Sequence, residues 1–372
     1  AQGTPVTGAA ALTSPAPRPA APPRRRLSRG MEPSGIERMA ASELDPDEFV
    51  RRFVSENTPV ILEGALSEAW ASTFAWTPGT LSALAPHGAS VRVAPLMADG
   101  RDKWVESSSL WPGSETWEPL PGVIHHDRVL AVAAARIEVS LADFAASLRG
   151  EGRLPPLYAD GASNLERSFD FLAQHVPQPP AVGQSLSFRR VDLWLGGRTL
   201  STLHFDNYEN LFVQLVGHKE FVLCPPGDTS RLVDGRLRKA YATWIADDAG
   251  SGHFERTEEG GSAEAVMNYA AYDIDGPPAK YAAAAAKLHR VIVRVGPGEV
   301  LYIPFGWWHQ VRAVPAENGL CASAAAFYEP FFCRLQPKSM TCPGPLLVNP
   351  KYKELCRRLK LDESDSEGDG RA

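Results

Sequence analysis

Histidine and aspartate side chains that can bind a metal lie in the second half of the chain. His204-Phe205-Asp206 forms an H-x-D motif, and alternation along an extended segment places His204 and Asp206 on the same side. A non-haem Fe(II) site requires two imidazoles and one carboxylate on one face, with the other positions open for oxygen and a cosubstrate. His309 follows a strand-like segment and supplies the second imidazole. The sequence therefore predicts a site made of His204, Asp206 and His309.

A second H-x-D motif, His125-His126-Asp127, shows that the pattern alone is not specific. The chain has 9 His, so a chance match is expected. No apolar strand carrying a lysine follows this second motif. We therefore interpret it as an exposed polar loop.

Lys219 is the next residue whose type and position could contribute to the chemistry of the site. It stands at the head of the apolar run Phe221-Val222-Leu223, and an ammonium buried without a partner costs free energy. One interpretation is a lysine that keeps an edge strand from aggregating. The other is a lysine that binds a dicarboxylate cosubstrate beside the metal. The nearby candidate ligands favour the second interpretation.

The elements that must position these residues are mainly strands. A helix is predicted to start at Asp45-Pro46 and an amphipathic helix spans 141–149. Gly217-His218 and Gly296-Pro297-Gly298 read as hairpin turns between strands. Short strands separated by Gly and Pro turns are typical of a double-sheet jelly roll. The predicted strands are 59–62, 191–195, 210–216, 219–224, 291–295, 299–303, 310–314 and 323–328.

Composition divides the chain into regions. The N-terminal segment is rich in Ala, Pro and Arg and is expected to be disordered. A long, charged stretch reads as an insertion between jelly-roll strands, and the C-terminal residues form an acidic tail. The predicted regions are a disordered segment 1–40, a catalytic domain 41–335 with an insertion at about 228–288, an extension 336–361 of helix and loop, and a tail 362–372.

The overall composition is that of a globular protein, with 44% hydrophobic and 22% charged residues. A net charge of -6 gives no general attraction to nucleic acid or to an anionic membrane. No apolar run reaches the length of a membrane span. The 5 Cys are odd in number and form no C-x-x-C pair, which indicates a reducing compartment, cytoplasmic or nuclear. The acid-free residues 1–30 leave plastid or mitochondrial targeting as the alternative.

Several runs resemble the JmjC (cupin-like) hydroxylases over about residues 40–330. Lys219 lies fifteen residues after His204, as the cosubstrate lysine does in that family. Gly296 to His309 fits the family pattern Gly-x-Gly-Glu-x-Leu-Tyr-x-Pro-x-x-Trp-x-His. The Leu-His-x-Asp-x-Tyr-Glu-Asn-Leu motif is similar to that of lysyl hydroxylases acting on GTP-binding proteins. The other matching runs are Pro59 to Leu66, Pro156 to Tyr158, Trp194 to Gly196 and Ser201 to Phe212.

The resemblance implies a double-stranded β-helix with flanking helices and an enzyme that uses Fe(II), 2-oxoglutarate and O2. It implies His204, Asp206 and His309 as iron ligands, and Lys219 as the partner of the distal carboxylate of 2-oxoglutarate. It also implies Ser201, Tyr158 and Asn210 as contacts of the cosubstrate or of its surroundings. The implied substrate is a protein side chain, in a GTP-binding protein for the lysyl hydroxylase type. Separately from the resemblance, a homodimer is one expected assembly.

Three alternatives stay open within this resemblance. The same fold supports N-methyl-lysine demethylation and hydroxylation of a modified tRNA base. It also supports a catalytically silent cupin that serves as a scaffold. The support for the last is Ala325, which occupies a strand position where these hydroxylases usually carry Asn. Loss of that amide removes one polar contact near the cosubstrate, unless water or another side chain replaces it.

Overall fold

The computed structural model describes residues 36–120, 129–161, 164–233, 235–247, 252–334 and 346–361. Within them, the strands are β1 (Glu37–Ala40), β2 (Val60–Glu63), β3 (Ser90–Pro95), β4 (Lys103–Glu106), β5 (Leu130–Ala134), β6 (Ile137–Ser140), β7 (Leu157–Asp160), β8 (Phe188–Gly196), β9 (Leu200–Phe205), β10 (Glu209–Val216), β11 (His218–Cys224), β12 (Leu237–Ala246), β13 (Gly252–Glu255), β14 (Gly261–Val266), β15 (Val291–Val295), β16 (Val300–Ile303), β17 (Trp308–Val314), β18 (Cys321–Tyr328), β19 (Phe332–Arg334) and β20 (Leu346–Val348).

The helices are shorter and flank the strands. The α-helices are α1 (Pro46–Phe49), α2 (Pro78–Leu84), α3 (Leu141–Leu148), α4 (Thr229–Leu232), α5 (Ala279–Ala285) and α6 (Lys353–Leu359). Helix α1 starts where the sequence predicts it, because the Asp45 carboxylate accepts hydrogen bonds from the backbone N–H groups of Asp47 and Glu48. None of the described helices is long and apolar enough to cross a membrane.

Two sheets build the framework of the site. The larger has the strand order β1-β2-β16-β10-β18-β8-β7-β3-β6, and the smaller has the order β15-β11-β17-β9. Their inner faces meet, since the Phe212 ring of β10 packs edge-on against the Phe221 ring of β11 at 5.1 Å. The mainly β, jelly-roll fold predicted from the sequence is therefore confirmed.

The two predicted hairpins are wrong. Strands β10 and β11 are joined at Gly217, but β10 pairs with β16 and β18, whereas β11 pairs with β15 and β17. Likewise β15 and β16, joined through Gly296-Pro297-Gly298, lie in different sheets. Each turn therefore carries the chain from one sheet to the other. Gly217 has a φ of 69°, which glycine adopts without strain.

The stretch from 228 to 288 contributes to a third sheet. Strand β12 pairs in parallel with β5 and antiparallel with β13 and β14, and β5 also pairs with β4. The stretch predicted as an insertion thus packs against strands from the first half of the chain. Strand β19 pairs with β20 in a small separate ladder.

The folded region begins earlier than predicted. Strand β1 lies within the segment expected to be disordered and pairs in parallel with β2, with Met39 buried. A short parallel edge strand with one buried side chain leaves little trace in a polar sequence. Residues 1–35 and the acidic tail 362–372 lie outside the described residues, and the other predicted region boundaries stay predictions.

Candidate metal centre and cosubstrate pocket

His204 and His309 face each other on neighbouring strands. They are direct cross-strand partners on β9 and β17, and their ring centroids are 4.3 Å apart. Asp206 follows β9, and its Oδ2 lies 3.6 Å from Nε2 of His309. One ligand atom from each of the three residues lies within 4.8 Å of the others. The structure therefore brings together all three residues predicted as metal ligands.

Backbone hydrogen bonds set the tautomer of both imidazoles. Nδ1 of His204 donates to the carbonyl oxygen of Thr202 at 2.7 Å, and Nδ1 of His309 donates to that of Trp307 at 3.0 Å. A carbonyl oxygen only accepts, so the proton of each neutral ring is held on Nδ1 and Nε2 carries the free lone pair. Both rings are thus prepared to bind a metal through Nε2.

Burial keeps these imidazoles neutral. Removal from water lowers the pKa of His204 below its ordinary value, despite the nearby Asp206 carboxylate. The pKa of His309 is lowered for the same reason, and the neighbouring His204 ring adds to the effect. Metal ions bind the neutral imidazole, so a low pKa spares the cost of removing a proton. The donor set of two imidazoles and one carboxylate matches that of non-haem Fe(II) sites.

A cavity of about 300 Å³ adjoins these three side chains. Its size suits a small organic ligand. The cavity is lined by all seven residues that the sequence predicts for the site, namely Tyr158, Ser201, His204, Asp206, Asn210, Lys219 and His309. Residues from both sheets therefore converge on a single pocket next to the metal-binding side chains.

Lys219 is a buried cation inside this pocket. Only 3% of the residue is exposed, and it forms no ion pair with any described residue. Its Nζ donates a hydrogen bond to Oγ of Ser323 at 2.9 Å and lies 5.0 Å from the centre of the Phe212 ring. Burial lowers the pKa of Lys219 to about 8. A buried ammonium with only a neutral partner costs free energy, and a carboxylate that binds beside it would reduce that cost.

The other predicted cosubstrate contacts are buried polar groups. Oδ1 of Asn210 has no hydrogen-bond partner among the described residues. Tyr158 and Ser201 line the same cavity, and burial raises the pKa of Tyr158. Unsatisfied buried polar atoms are rare in folded proteins, so Oδ1 of Asn210 is an acceptor that a ligand in this cavity could use.

Ala325 lies next to polar groups that the sequence prediction missed. It faces Asp192 on β8, and Asp192 lines the pocket and pairs with Arg190 at 2.9 Å. Ser323 lies two residues before Ala325 on the same face of β18 and holds Lys219. The polar contact expected from an Asn at 325 is thus absent, but neighbouring positions supply a hydroxyl and a carboxylate. Ser323 stands in a run of small residues, so the sequence around it does not predict that it accepts a hydrogen bond from Lys219.

The stretch 228–288 also reaches the site, which the sequence did not indicate. The Tyr269 ring lies parallel to the His204 ring at 5.8 Å. The Asn268 carbonyl accepts from the N–H of Phe205 at 3.1 Å, and Nδ2 of Asn268 donates to the Phe205 carbonyl. On the other ligand strand, Nε2 of Gln310 donates to Asp275 at 2.9 Å. The stretch therefore binds the residue that follows each candidate histidine ligand.

Together, the double-sheet core and the His-Asp-His centre beside a lysine-lined pocket define a cupin of the JmjC type. A family model described as a cupin-like domain matches residues 46–334. The chain therefore belongs to this family, whose JmjC members are typically Fe(II)- and 2-oxoglutarate-dependent oxygenases.

Relatives with JmjC names support this assignment. The chain is 28% identical over 279 residues to the bifunctional peptidase and (3S)-lysyl hydroxylase JMJD7 of Homo sapiens, covering 72% of this chain and 77% of that protein. It is 30% identical over 150 residues to the lysine-specific demethylase JMJ32 of Arabidopsis thaliana, covering 37% and 41%. It is 31% identical over 130 residues to the JmjC domain-containing protein F of Dictyostelium discoideum, covering 34% and 25%. The chain thus spans less than half of the last two proteins.

The second H-x-D motif, His125-His126-Asp127, lies outside the described residues. Its interpretation as an exposed loop stays a prediction. Within the described part of the chain, His204, Asp206 and His309 form a cluster of His, Cys, Asp or Glu side chains that could hold a metal ion.

Proposed function

We propose that the protein is an Fe(II)- and 2-oxoglutarate-dependent oxygenase that hydroxylates a lysine side chain of a protein. The observation that carries the oxygenase assignment is Lys219. A buried ammonium without a carboxylate partner among the described residues lines the same cavity as His204 and His309. A dicarboxylate could bind the metal with one end and Lys219 with the other, which would fill the open metal positions and give the buried ammonium a counter-charge.

Different residues of this chain would bind the metal and the cosubstrate. His204, Asp206 and His309 would hold the iron, and one ligand atom from each already lies within 4.8 Å of the others. Lys219 and Ser323 would bind the distal carboxylate, while Asn210, Tyr158 and Ser201 would orient the rest of the cosubstrate. When bound, iron with 2-oxoglutarate and O2 supplies the oxidising chemistry that yields succinate and carbon dioxide and transfers one oxygen atom to a C–H bond. The protein contributes orientation and a water-poor cavity.

Lysine as the target residue rests on the relatives. JMJD7 is named a lysyl hydroxylase and JMJ32 a lysine-specific demethylase. Both names concern lysine, and the JMJD7 match covers 72% of this chain. Demethylation is therefore the second candidate. It starts from the same hydroxylation, directed at a methyl group on the lysine nitrogen instead of a side-chain carbon.

Mass spectrometry of proteins from matched cells with and without this protein separates the two reactions. Hydroxylation predicts lysine peptides that carry one additional oxygen atom only when the protein is present. Demethylation predicts methylated lysine peptides that accumulate when it is absent. A change on a residue type other than lysine would contradict the lysine assignment, and an RNA base as the altered group would favour the tRNA alternative.

A further inference from the structure

A second, larger cavity of about 670 Å³ adjoins the metal pocket. We call it the outer cavity. Four alanine side chains on and beside β5 line it, and they leave space because they end at Cβ, namely those of Ala131, Ala133, Ala134 and Ala135. Six residues line both the outer cavity and the metal pocket, namely Asp102, Lys103, Arg136, Asp160, Asn268 and Tyr269. A molecule in the outer cavity therefore lies next to the reaction centre.

In the wall of the outer cavity, the acidic side chains are more deeply buried than the basic side chains that pair with them. The carboxylates of Asp102 and Asp160 are nearly buried, with 3% and 9% of their side chains exposed. Lys103 bridges them, with Nζ 2.5 Å from Asp102 and 2.8 Å from Asp160, and keeps 30% of its side chain exposed. Arg136 pairs with Asp160 and keeps 32% exposed. The two carboxylates thus lie below the cavity surface, and the two cationic side chains are exposed at that surface.

Two more cations line the outer cavity without a balancing acid in its wall. Arg92 on β3 is exposed and forms no ion pair with any described residue. Lys239 on β12 pairs with Glu264, whose side chain is 65% exposed and does not line the cavity. The lining therefore carries four cationic side chains and two carboxylates. A cleft with this excess raises the local concentration of anions.

Lys103 stays charged in this setting. Burial alone lowers its pKa, but the carboxylates of Asp102 and Asp160 outweigh burial and hold the pKa well above its ordinary value. The two acids thus stabilise the positive surface instead of offering a free site for a cation. A basic segment would meet positive charge at the surface before it reached either carboxylate.

We propose that the outer cavity binds an oxyanion of the substrate, a carboxylate or phosphate on a residue that flanks the target lysine. Four cationic side chains would bind the anion, namely those of Arg92, Lys103, Arg136 and Lys239. The alanine side chains that line the cavity would contact the peptide backbone beside the anion. This inference rests on the proposed function for the identity of the target, but the binding site itself does not require turnover. Selection of acidic protein segments would follow from this surface.

Binding of fluorescent peptides to the full chain tests this proposal without iron or turnover. The probes are short peptides with a central lysine flanked by aspartate, phosphoserine, alanine or arginine, and one single-stranded RNA of similar length. We expect the aspartate or the phosphoserine peptide to bind about tenfold more tightly than the alanine peptide, which corresponds to about 1.4 kcal/mol. The arginine peptide should bind most weakly. The tighter of the two anionic peptides identifies the oxyanion.

A double charge reversal, Arg92→Glu with Lys239→Glu, should abolish this preference and favour the arginine peptide. Neither residue belongs to the metal or cosubstrate site, so 2-oxoglutarate binding should not change. Arg149→Glu with Arg357→Glu is the matched control, since it reverses the same number of charges. Both arginines form exposed ion pairs, with Glu151 and Glu354, and line neither cavity.

Three results would overturn the proposal. They are equal binding of the anionic and alanine peptides, an unchanged preference in the double variant, and tighter binding of RNA than of either anionic peptide. The proposed function has a separate readout. If peptides bind as expected but no succinate forms from 2-oxoglutarate, the oxygenase assignment fails and the binding site stands.

Discussion

His204 and His309 are opposed across the β9–β17 ladder, and each donates its Nδ1 proton to a carbonyl oxygen two residues earlier in its own chain segment. This shared arrangement leaves Nε2 of each ring free to bind a metal, and one ligand atom from each ring and from Asp206 lies within 4.8 Å of the others. A metal bound by these atoms would need little rearrangement of the protein. The predictions below follow from this geometry and from the groups around it.

Removing any one of His204, Asp206 and His309 should abolish metal binding. We expect His204→Ala, Asp206→Ala and His309→Ala each to lose the Co(II) absorption spectrum of the wild-type protein, because two ligands bind a divalent ion poorly. His253→Ala is the control, since His253 is exposed on β13. A normal Co(II) spectrum in His309→Ala would refute the ligand assignment.

Lys219→Ala should weaken 2-oxoglutarate binding by about a hundredfold, in line with the 2–5 kcal/mol that loss of one partner in a buried charge pair costs. Metal affinity should remain, because all three ligands are present. Lys219→Arg should restore only part of the binding, since a planar guanidinium does not replace a compact ammonium. Calorimetric titration with Mn(II) in place of iron measures both affinities. Unchanged 2-oxoglutarate affinity in Lys219→Ala would mean that another residue anchors the cosubstrate.

Tyr269 should position the His204 ring. Replacement by Ala removes the parallel ring and should lower Co(II) affinity by about tenfold, the scale typical of residues that orient a ligand. Tyr269→Phe keeps the ring and should bind Co(II) like the wild type. If the Phe variant is as weak as the Ala variant, the hydroxyl group and not the stacked ring is responsible.

Glu209 should make stability depend on pH. Burial raises its pKa from 4.5 to about 6, although it accepts hydrogen bonds from Tyr302 and from the N–H groups of Phe305 and Phe331. The folded state therefore binds the proton more tightly than the unfolded state. Its contribution to stability is fully present below pH 4.5 and is lost as pH rises through about 6. The loss is about 2 kcal/mol.

Glu209→Gln isolates this contribution because glutamine does not titrate. The variant should be less stable overall, since its amide donates where Glu209 accepts. The difference in unfolding free energy between wild type and variant should shrink as pH rises through the window, measured by urea denaturation without added metal. A constant difference across that range would show that the Glu209 pKa is not raised.

The sequence predicted the site better than the path of the chain. Alternation along an extended segment indicated His204 and Asp206 as candidate metal ligands, because that relationship is local. The resemblance to the JmjC hydroxylases, through its fifteen-residue spacing from His204, indicated Lys219 as the candidate cosubstrate lysine. The crossing between sheets at Gly217 was not predicted, because β10 is buried throughout and a strand that is buried on both faces does not reveal which strand it pairs with. A glycine turn fits a hairpin and a crossing equally well.

Long-range pairing explains what the sequence analysis missed. Tyr269 and Asn268 reach the site because their segment pairs with the edge of β9, more than sixty residues earlier in the chain. The outer cavity likewise combines β3, β5 and β12, which are distant in sequence. Neither the composition nor the hydrophobic periodicity of a sequence predicts contacts between segments so far apart in the chain. Ser323 holds Lys219 from a run of small residues in which no position stands out.

The most direct test of the central claim is succinate formation from 2-oxoglutarate by the purified protein in the presence of Fe(II) and O2. We expect the wild-type protein to form succinate, and we expect formation to stop without O2 and in His309→Ala. Co(II) binding and 2-oxoglutarate affinity, measured on the same preparation, establish that the site is intact. A protein that binds both ligands but forms no succinate, with or without the lysine peptides, would be a silent cupin and would contradict the assignment.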